Sequence, residues 1–325
     1  MEPTIPTPAP SNDQAVSAQL VKIESPFVTL KFAWDMFLSN WQKLVPVAIV
    51  PSAIMYVGTL SFTLGGNIFF AILGILCVVA GIILSVVALV AVIKAVERLN
   101  TDQTAQIALK EYYKMAFTYF WSVILVGIIS ALVGIGGFML LIVPGIIVSV
   151  YVIFYNYALV IDGKRGFGAL LESYQLVRGR WRAVLGRAVL IGLVSMAISL
   201  IASLIVGLFG GEEAPAAVSG LMNILTTAVI SPLTVLFTYR VYGALKAVRQ
   251  PEVDAKKFKN VLIGFICVGA LTIISAVVIT PVLMMKGADI NSIRMNVEAA
   301  RKNAEMKSAE VQKLIQEAQS SAVTE

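Results

Sequence analysis

Long uncharged apolar runs alternate with short polar stretches along this chain, and the runs are too long for the core helices of a soluble domain. Leu44 to Ile93 holds no charged residue and is interrupted near its middle by Gly65-Gly66-Asn67, which predicts two membrane spans joined by a very short turn. Met115 to Ile161 repeats the arrangement, with its break at Gly134-Ile135-Gly136-Gly137 or at Pro144-Gly145. A third pair, Ala188–Gly211 and Ala214–Tyr239, surrounds Glu212-Glu213, and Asn260–Met285 makes a seventh span. The expected fold is therefore all-α, a polytopic membrane helix bundle of about seven spans.

A second period sits ahead of these hairpins. Phe27, Leu30, Trp34, Phe37, Leu38 and Trp41 form an apolar stripe at helical spacing, opened by Ser25-Pro26 as N-cap and first helical residue. Phe167, Leu170, Tyr174, Val177 and Trp181 fall 140 positions after Phe27, Leu30, Trp34, Phe37 and Trp41. A weaker copy runs through Leu109, Tyr113, Ala116, Phe117 and Phe120, with Thr101 or Asp102 as its candidate cap. The repeating unit is an amphipathic helix followed by a transmembrane hairpin, used three times. The expected organisation is a disordered polar tail over 1–24 and a membrane domain over 25–250. A linker with the seventh span follows over 251–285, then a polar helical tail over 286–325.

Charge gives the bundle a direction. Of 25 Lys and Arg, 19 precede the seventh span, and all of these lie before span 1 or between spans 2 and 3, 4 and 5, or 6 and 7. The three opposite turns carry only Glu212 and Glu213. Basic residues near span ends stay cytoplasmic, so the N-terminus is expected inside, the turns outside and the tail after span 7 outside. The apolar positions of that tail, Ile290, Ile293, Val297, Ala300, Ala304, Val311, Leu314 and Ala318, approach a heptad. With Lys307 and several alanines in the seam, a solvated helix is favoured over a coiled coil. Residues 1–23 lack a basic segment followed by an apolar core and do not read as a signal peptide.

Composition removes most chemistry. The chain has no histidine, and its two cysteines, Cys77 and Cys267, both lie in apolar runs and are expected to be buried apolar residues rather than a disulfide. Triads built on histidine and Cys/His zinc sites are thereby excluded, and neither a catalytic residue nor a cofactor is expected. No ionisable residue occupies a predicted midplane, which argues against proton coupling. The neutral polar groups at span level are Asn156, Asn223, Thr226, Thr227 and Ser231, near Pro144 and Pro232. Two sets of residues remain as candidates. Arg178, Arg180, Arg182 and Arg187 around Trp181 could collect anionic lipid headgroups. Ser195, Ser199, Ser203 and Gly207 line one helix face with small side chains, suited to close helix packing.

The stretch Leu141–Leu190 resembles a bacterial and archaeal family: the membrane domain attached to some glycerophosphoryl diester phosphodiesterases and the free-standing YciC-type inner-membrane proteins. The matching features are Pro144-Gly145-Ile146-Ile147, Asp162-Gly163, the helix through Ser173 and Leu176, and the basic-aromatic step into span 5. Tyr239 to Gln250 and Leu30 to Trp41 are also similar. The resemblance implies about six helices in a prokaryotic cell membrane. It does not imply phosphodiesterase activity, which in the fused proteins belongs to a separate soluble barrel. The reading that follows is a non-catalytic membrane protein that organises lipid or partner proteins, with membrane lipid, a second copy or another membrane protein as partner and no nucleic acid. The alternative is a facilitative transporter or channel for a small solute built from the three hairpins.

Overall fold

A computed structural model describes residues 24–208, 216–248 and 254–279, together with 295, 298, 301, 302, 305 and 306. All regular structure among the described residues is helical, and seven helices are long and apolar enough to cross a membrane. The chain divides into two units, residues 1–267 and 268–325. The described part of the second unit comprises the end of the seventh long helix and six further helical residues, among which Arg301 and Glu305 pair at 3.3 Å. Glu212-Glu213, the tail before Glu24 and all eight predicted heptad positions lie outside the described residues.

Helix α1 (Pro26–Leu64) opens as the sequence predicts, with the Val28 N–H donating to Ser25 Oγ at 3.4 Å. It does not separate into an amphipathic helix and a span. The helix continues through both, bent where Asn40 leaves helical geometry at φ −130°, ψ 16°, and its buried amide donates back to the Met36 carbonyl at 3.2 Å. Gly65 and Gly66 turn the chain, and Asn67 caps α2 (Ile68–Thr101) by accepting from the Phe70 N–H at 3.2 Å. A Cβ on Gly65 would fall 2.1 Å from the Phe70 Cβ, so the turn needs glycine there. Asp102 does not cap the amphipathic helix ahead of span 3. Its carboxylate accepts from the Thr104 hydroxyl and N–H, which holds it below its ordinary pKa, and α3 (Leu109–Phe117) starts later with no side-chain cap.

In the second hairpin α4 (Phe120–Leu140) runs straight through Gly134–Gly137, and the break falls at Leu141, extended at φ −172°, ψ 157°. Pro144 then sits in the first turn of α5 (Ile142–Val152), where its missing N–H has no intrahelical partner to lose. Gly137 and Gly145 let the two helices touch, since a Cβ on Gly137 would lie 3.1 Å from the Gly145 Cα. This span is interrupted once more, between α5 and α6 (Tyr155–Val160), and a serine from elsewhere repairs the gap. Ser173 Oγ accepts from the Phe154 N–H at 3.1 Å and donates to the Tyr151 carbonyl at 2.7 Å.

Ser173 belongs to α7 (Phe167–Val177), predicted as an amphipathic surface helix. It is instead an inner element: Ala169, Leu170, Glu172, Ser173, Gln175, Leu176 and Val177 are all buried. Gly166 at φ +53° leads into it and Gly179 at φ +76° turns the chain out into α8 (Trp181–Leu208). Helices α9 (Ala216–Ala247) and α10 (Ala255–Ile279) follow, α10 beginning five residues before the predicted seventh span.

Helix α1 is packed along α2 on one side and α9 on the other. Small residues set the approach to α2: a Cβ on Gly81 would come within 2.2 Å of Met55 Cγ, and one on Gly58 within 3.0 Å of Cys77 Cβ. Close backbone approach of this kind replaces the hydrophobic drive that lipid cannot supply. The large buried side chains, among them Leu44, Val87, Ile93, Leu99, Leu236 and Phe237, gather at the end of the bundle that carries the basic residues. Helix α8 is the least covered of the spans, and Cys77 and Cys267 are free thiols, half-buried and exposed respectively.

Candidate functional site

Helix α9 carries small polar side chains every three or four residues, so they share one face: Ser219, Asn223, Thr227, Ser231, Thr234 and Thr238. The predicted polar residues Asn223, Thr227 and Ser231 meet Ser52, Tyr56 and Thr59 of α1 and Ser85 of α2 around a cavity of about 690 Å³ at span level, on the side of the hairpin turns. These partners on α1 and α2 were not singled out in the sequence. Tyr56 packs tightly against α9, for a Cβ on Gly220 would fall 2.0 Å from its ring. Several of the hydroxyls already donate to carbonyls of their own helix: Ser52 to Ile49 at 2.9 Å, Thr59 to Met55 at 3.1 Å and Ser85 to Gly81 at 2.8 Å. Such a hydroxyl has used its proton and keeps acceptor capacity, so the wall favours hydrogen-bond donors. Asn156, on α6, lines neither this cavity nor the next.

Towards the basic end Thr234 and Thr238 line a second cavity of about 320 Å³ between α8, α9 and the α5–α6 break. Leu89 of α2 lines both cavities and separates them. The walls of the second are mostly apolar, with neutral hydroxyls at Tyr157, Ser195, Thr234 and Thr238, and its one charged side chain is Arg187, which is 5% exposed. Its guanidinium donates to the Ala183 carbonyl at 2.9 Å and to the Glu24 carbonyl, while Nε is buried without a partner. The Glu24 carboxylate turns to Arg240, with oxygen–nitrogen distances of 2.7 and 3.3 Å. Glu24, expected in the polar tail, is thus a tether between α8 and α9. Asp162 is held similarly, accepting from the Tyr242 hydroxyl at 2.6 Å and from Lys246.

The arginine cluster is therefore divided. Arg178 and Arg182 are exposed, with Arg182 over the half-buried Trp181 ring at 5.9 Å from its centre. Arg180 is half-buried and donates to the Val248 carbonyl at 3.1 Å, closing α7 and α8 onto the end of α9. Arg187 is inside. The small-residue face of α8 is also divided: Ser195 lines the second cavity, and Ser199 and Ser203 face Ser219, Met222, Asn223 and Thr226 of α9 across a groove of about 210 Å³. Ser199, Ser203 and Gly207 stay exposed within one chain. The signal for Arg187 lies in its place on α8, six positions after Trp181, which puts it beyond the exposed start of the helix.

These features define a multi-pass, all-helical membrane protein with polar cavities strung along one inner helix. Residues 114–247, from within α3 to the end of α9, match a domain family of unknown function (DUF7847). The match takes in the whole stretch Leu141–Leu190 and both walls of the second cavity contributed by α8 and α9. No curated protein and no solved structure matches the chain.

Proposed function

We propose that this is a non-catalytic multi-pass membrane protein that engages anionic lipid along its basic face and organises the membrane or partner proteins around it. The observation that carries the reading is the exposed pair Arg178 and Arg182 flanking Trp181, an indole with two free guanidinium groups at the end of a span. Trp34, Trp41 and Trp121 are exposed at the same end, where amphipathic rings settle at headgroup depth. Each basic residue near an anionic leaflet contributes about 1 kcal/mol. Positive charge retained inside supports reading this as the cytoplasmic face, and the family resemblance supports a prokaryotic cell membrane. Kinship with the membrane domain of the phosphodiesterase proteins is part of the same reading and brings no catalysis with it. In nanodiscs of mixed phosphatidylglycerol and phosphatidylcholine, the double variant Arg178→Gln/Arg182→Gln should lose most of the enrichment of anionic lipid around the protein. Unchanged enrichment would overturn the reading.

The polar face of α9 favours a second reading, the passage of a small uncharged solute rich in hydrogen-bond donors. Leu89 is then the partition, and Leu89→Ala should join the two cavities and raise solute efflux from reconstituted vesicles. Equal efflux from protein-free vesicles, wild type and variant would remove it.

A further inference from the structure

Arg187 is a cation folded into the bundle without a carboxylate of its own. Its two hydrogen bonds go to neutral carbonyls, those of Ala183 and Glu24, and its Nε has no partner at all. The carboxylate of Glu24 is engaged by Arg240, and Arg187 bonds only the backbone carbonyl of that residue. A buried charge left so incompletely compensated is costly, and an anion beside the guanidinium would offset that cost.

The space beside Arg187 says what kind of anion. The cavity of about 320 Å³ is walled mainly by apolar side chains, among them Phe154, Val184, Ile191, Val235 and Phe237, which suit a hydrocarbon chain, with only neutral hydroxyls at Tyr157, Ser195, Thr234 and Thr238 besides the guanidinium. Its volume lies at the lower end of ligand pockets, which span roughly 300 to 1,000 Å³. Arg187 stands 21 residues before the far end of α8 at Leu208, about 31 Å along a helix, and the hydrocarbon layer is about 30 Å thick. The guanidinium is therefore at headgroup level, and Ile191, Gly192 and Ser195 continue the cavity one to two turns towards the bilayer centre.

We propose that this cavity binds one anionic amphiphile, its phosphate or carboxylate on the Arg187 guanidinium and its hydrocarbon tail between α8 and α9. The inference rests on the chain spanning a membrane, as proposed above, and not on Arg178 or Arg182. The full chain, delipidated in detergent and offered phosphatidylglycerol or phosphatidylcholine, would be examined by native mass spectrometry. One phosphatidylglycerol should stay bound to each chain, with phosphatidylcholine retained at least tenfold less. Arg187→Gln should abolish the difference. Because Arg187→Gln also removes the tether to Glu24, a second variant keeps the arginine: Gly192→Leu adds bulk to the cavity at a position whose Cβ meets open space, and it should lose the lipid with the helices intact. Arg178→Gln/Arg182→Gln should keep it. Equal retention of both lipids, no retained lipid in the wild type, or retention that survives Gly192→Leu would overturn the proposal. So would displacement of the lipid by inorganic phosphate alone, which would make this a site for the free ion. Loss in the Arg178/Arg182 pair but not in the Arg187 and Gly192 variants would return the lipid to the outer surface.

Discussion

The start of α1, and α7 together with the first residue of α8, carry bulky apolar side chains at the same five positions, 140 residues apart, and the two stretches meet different surroundings. Phe27 is 71% exposed and Trp34 and Trp41 are open, whereas Leu170 is fully buried and Tyr174 and Trp181 are half-covered. One face is nevertheless buried in both. Thr29, Ala33, Met36 and Phe37 face protein in α1, and their counterparts Ala169, Ser173, Leu176 and Val177 do so in α7. Most of these are the smaller residues of each helix. In α1 only part of the aromatic stripe, Phe27, Trp34 and Trp41, marks the side away from protein, while Phe37 and the small positions Thr29 and Ala33 mark the side that protein touches. Helix α7 differs by having a second face covered, at Leu170, Glu172 and Gln175, because α5 and α6 lie against it.

The contrast can be broken at its strongest point by truncation. Leu170→Ala should cost about 2 to 5 kcal/mol of stability, while Leu30→Ala at the matching, half-buried position of α1 should cost clearly less. Thermal unfolding of both variants in detergent would show it, and equal losses would mean that the two helices are packed alike. Ser173→Ala removes the hydroxyl that bridges Tyr151 and Phe154 and leaves a buried N–H without a partner, a loss of about 1 to 3 kcal/mol. The matching residue in α1 is already Ala33, which has no broken helix to mend. Gly179→Ser places a side chain at φ +76° and should destabilise by about 1 to 2 kcal/mol. Ser39, its counterpart, stays in the helix, its hydroxyl donating to the Asp35 carbonyl at 2.9 Å, and Ser39→Ala should change little. Smallest of all, Phe27→Ala should leave stability within about 0.5 kcal/mol while loosening the anchor in the membrane, read as weaker quenching of nearby tryptophans by headgroup-depth quenchers.

The seven apolar spans and the first hairpin turn were legible because each depends on residues close together in the chain. Gly65-Gly66-Asn67 makes its own turn, and the non-helical residue Asn40 of α1 matches Arg180, between α7 and α8, in the repeat. What stayed hidden depends on distant partners. Asn223, Thr227 and Ser231 were visible as polar residues, but nothing near them says that Ser52, Tyr56 and Ser85 complete the cavity. The interior position of Arg187 depends on the Glu24 carbonyl, 163 residues earlier. One local signal was there to be used: Gly74, Gly81, Ala88 and Ala95 recur every seven residues along α2, all of them buried.

The hydroxyls that close back onto their own helices matter before the bundle is complete. Helices α1 and α2 leave the ribosome long before α9, so during biosynthesis the face bearing Ser52 and Thr59 waits in lipid for its second neighbour. Each of these protons already has a carbonyl partner within its own helix, so no bare donor meets hydrocarbon during the wait. A lysine or an aspartate at the same depth would have to find a counterion first. The neutrality of the large cavity can thus be understood as a condition of making the protein as much as of using it.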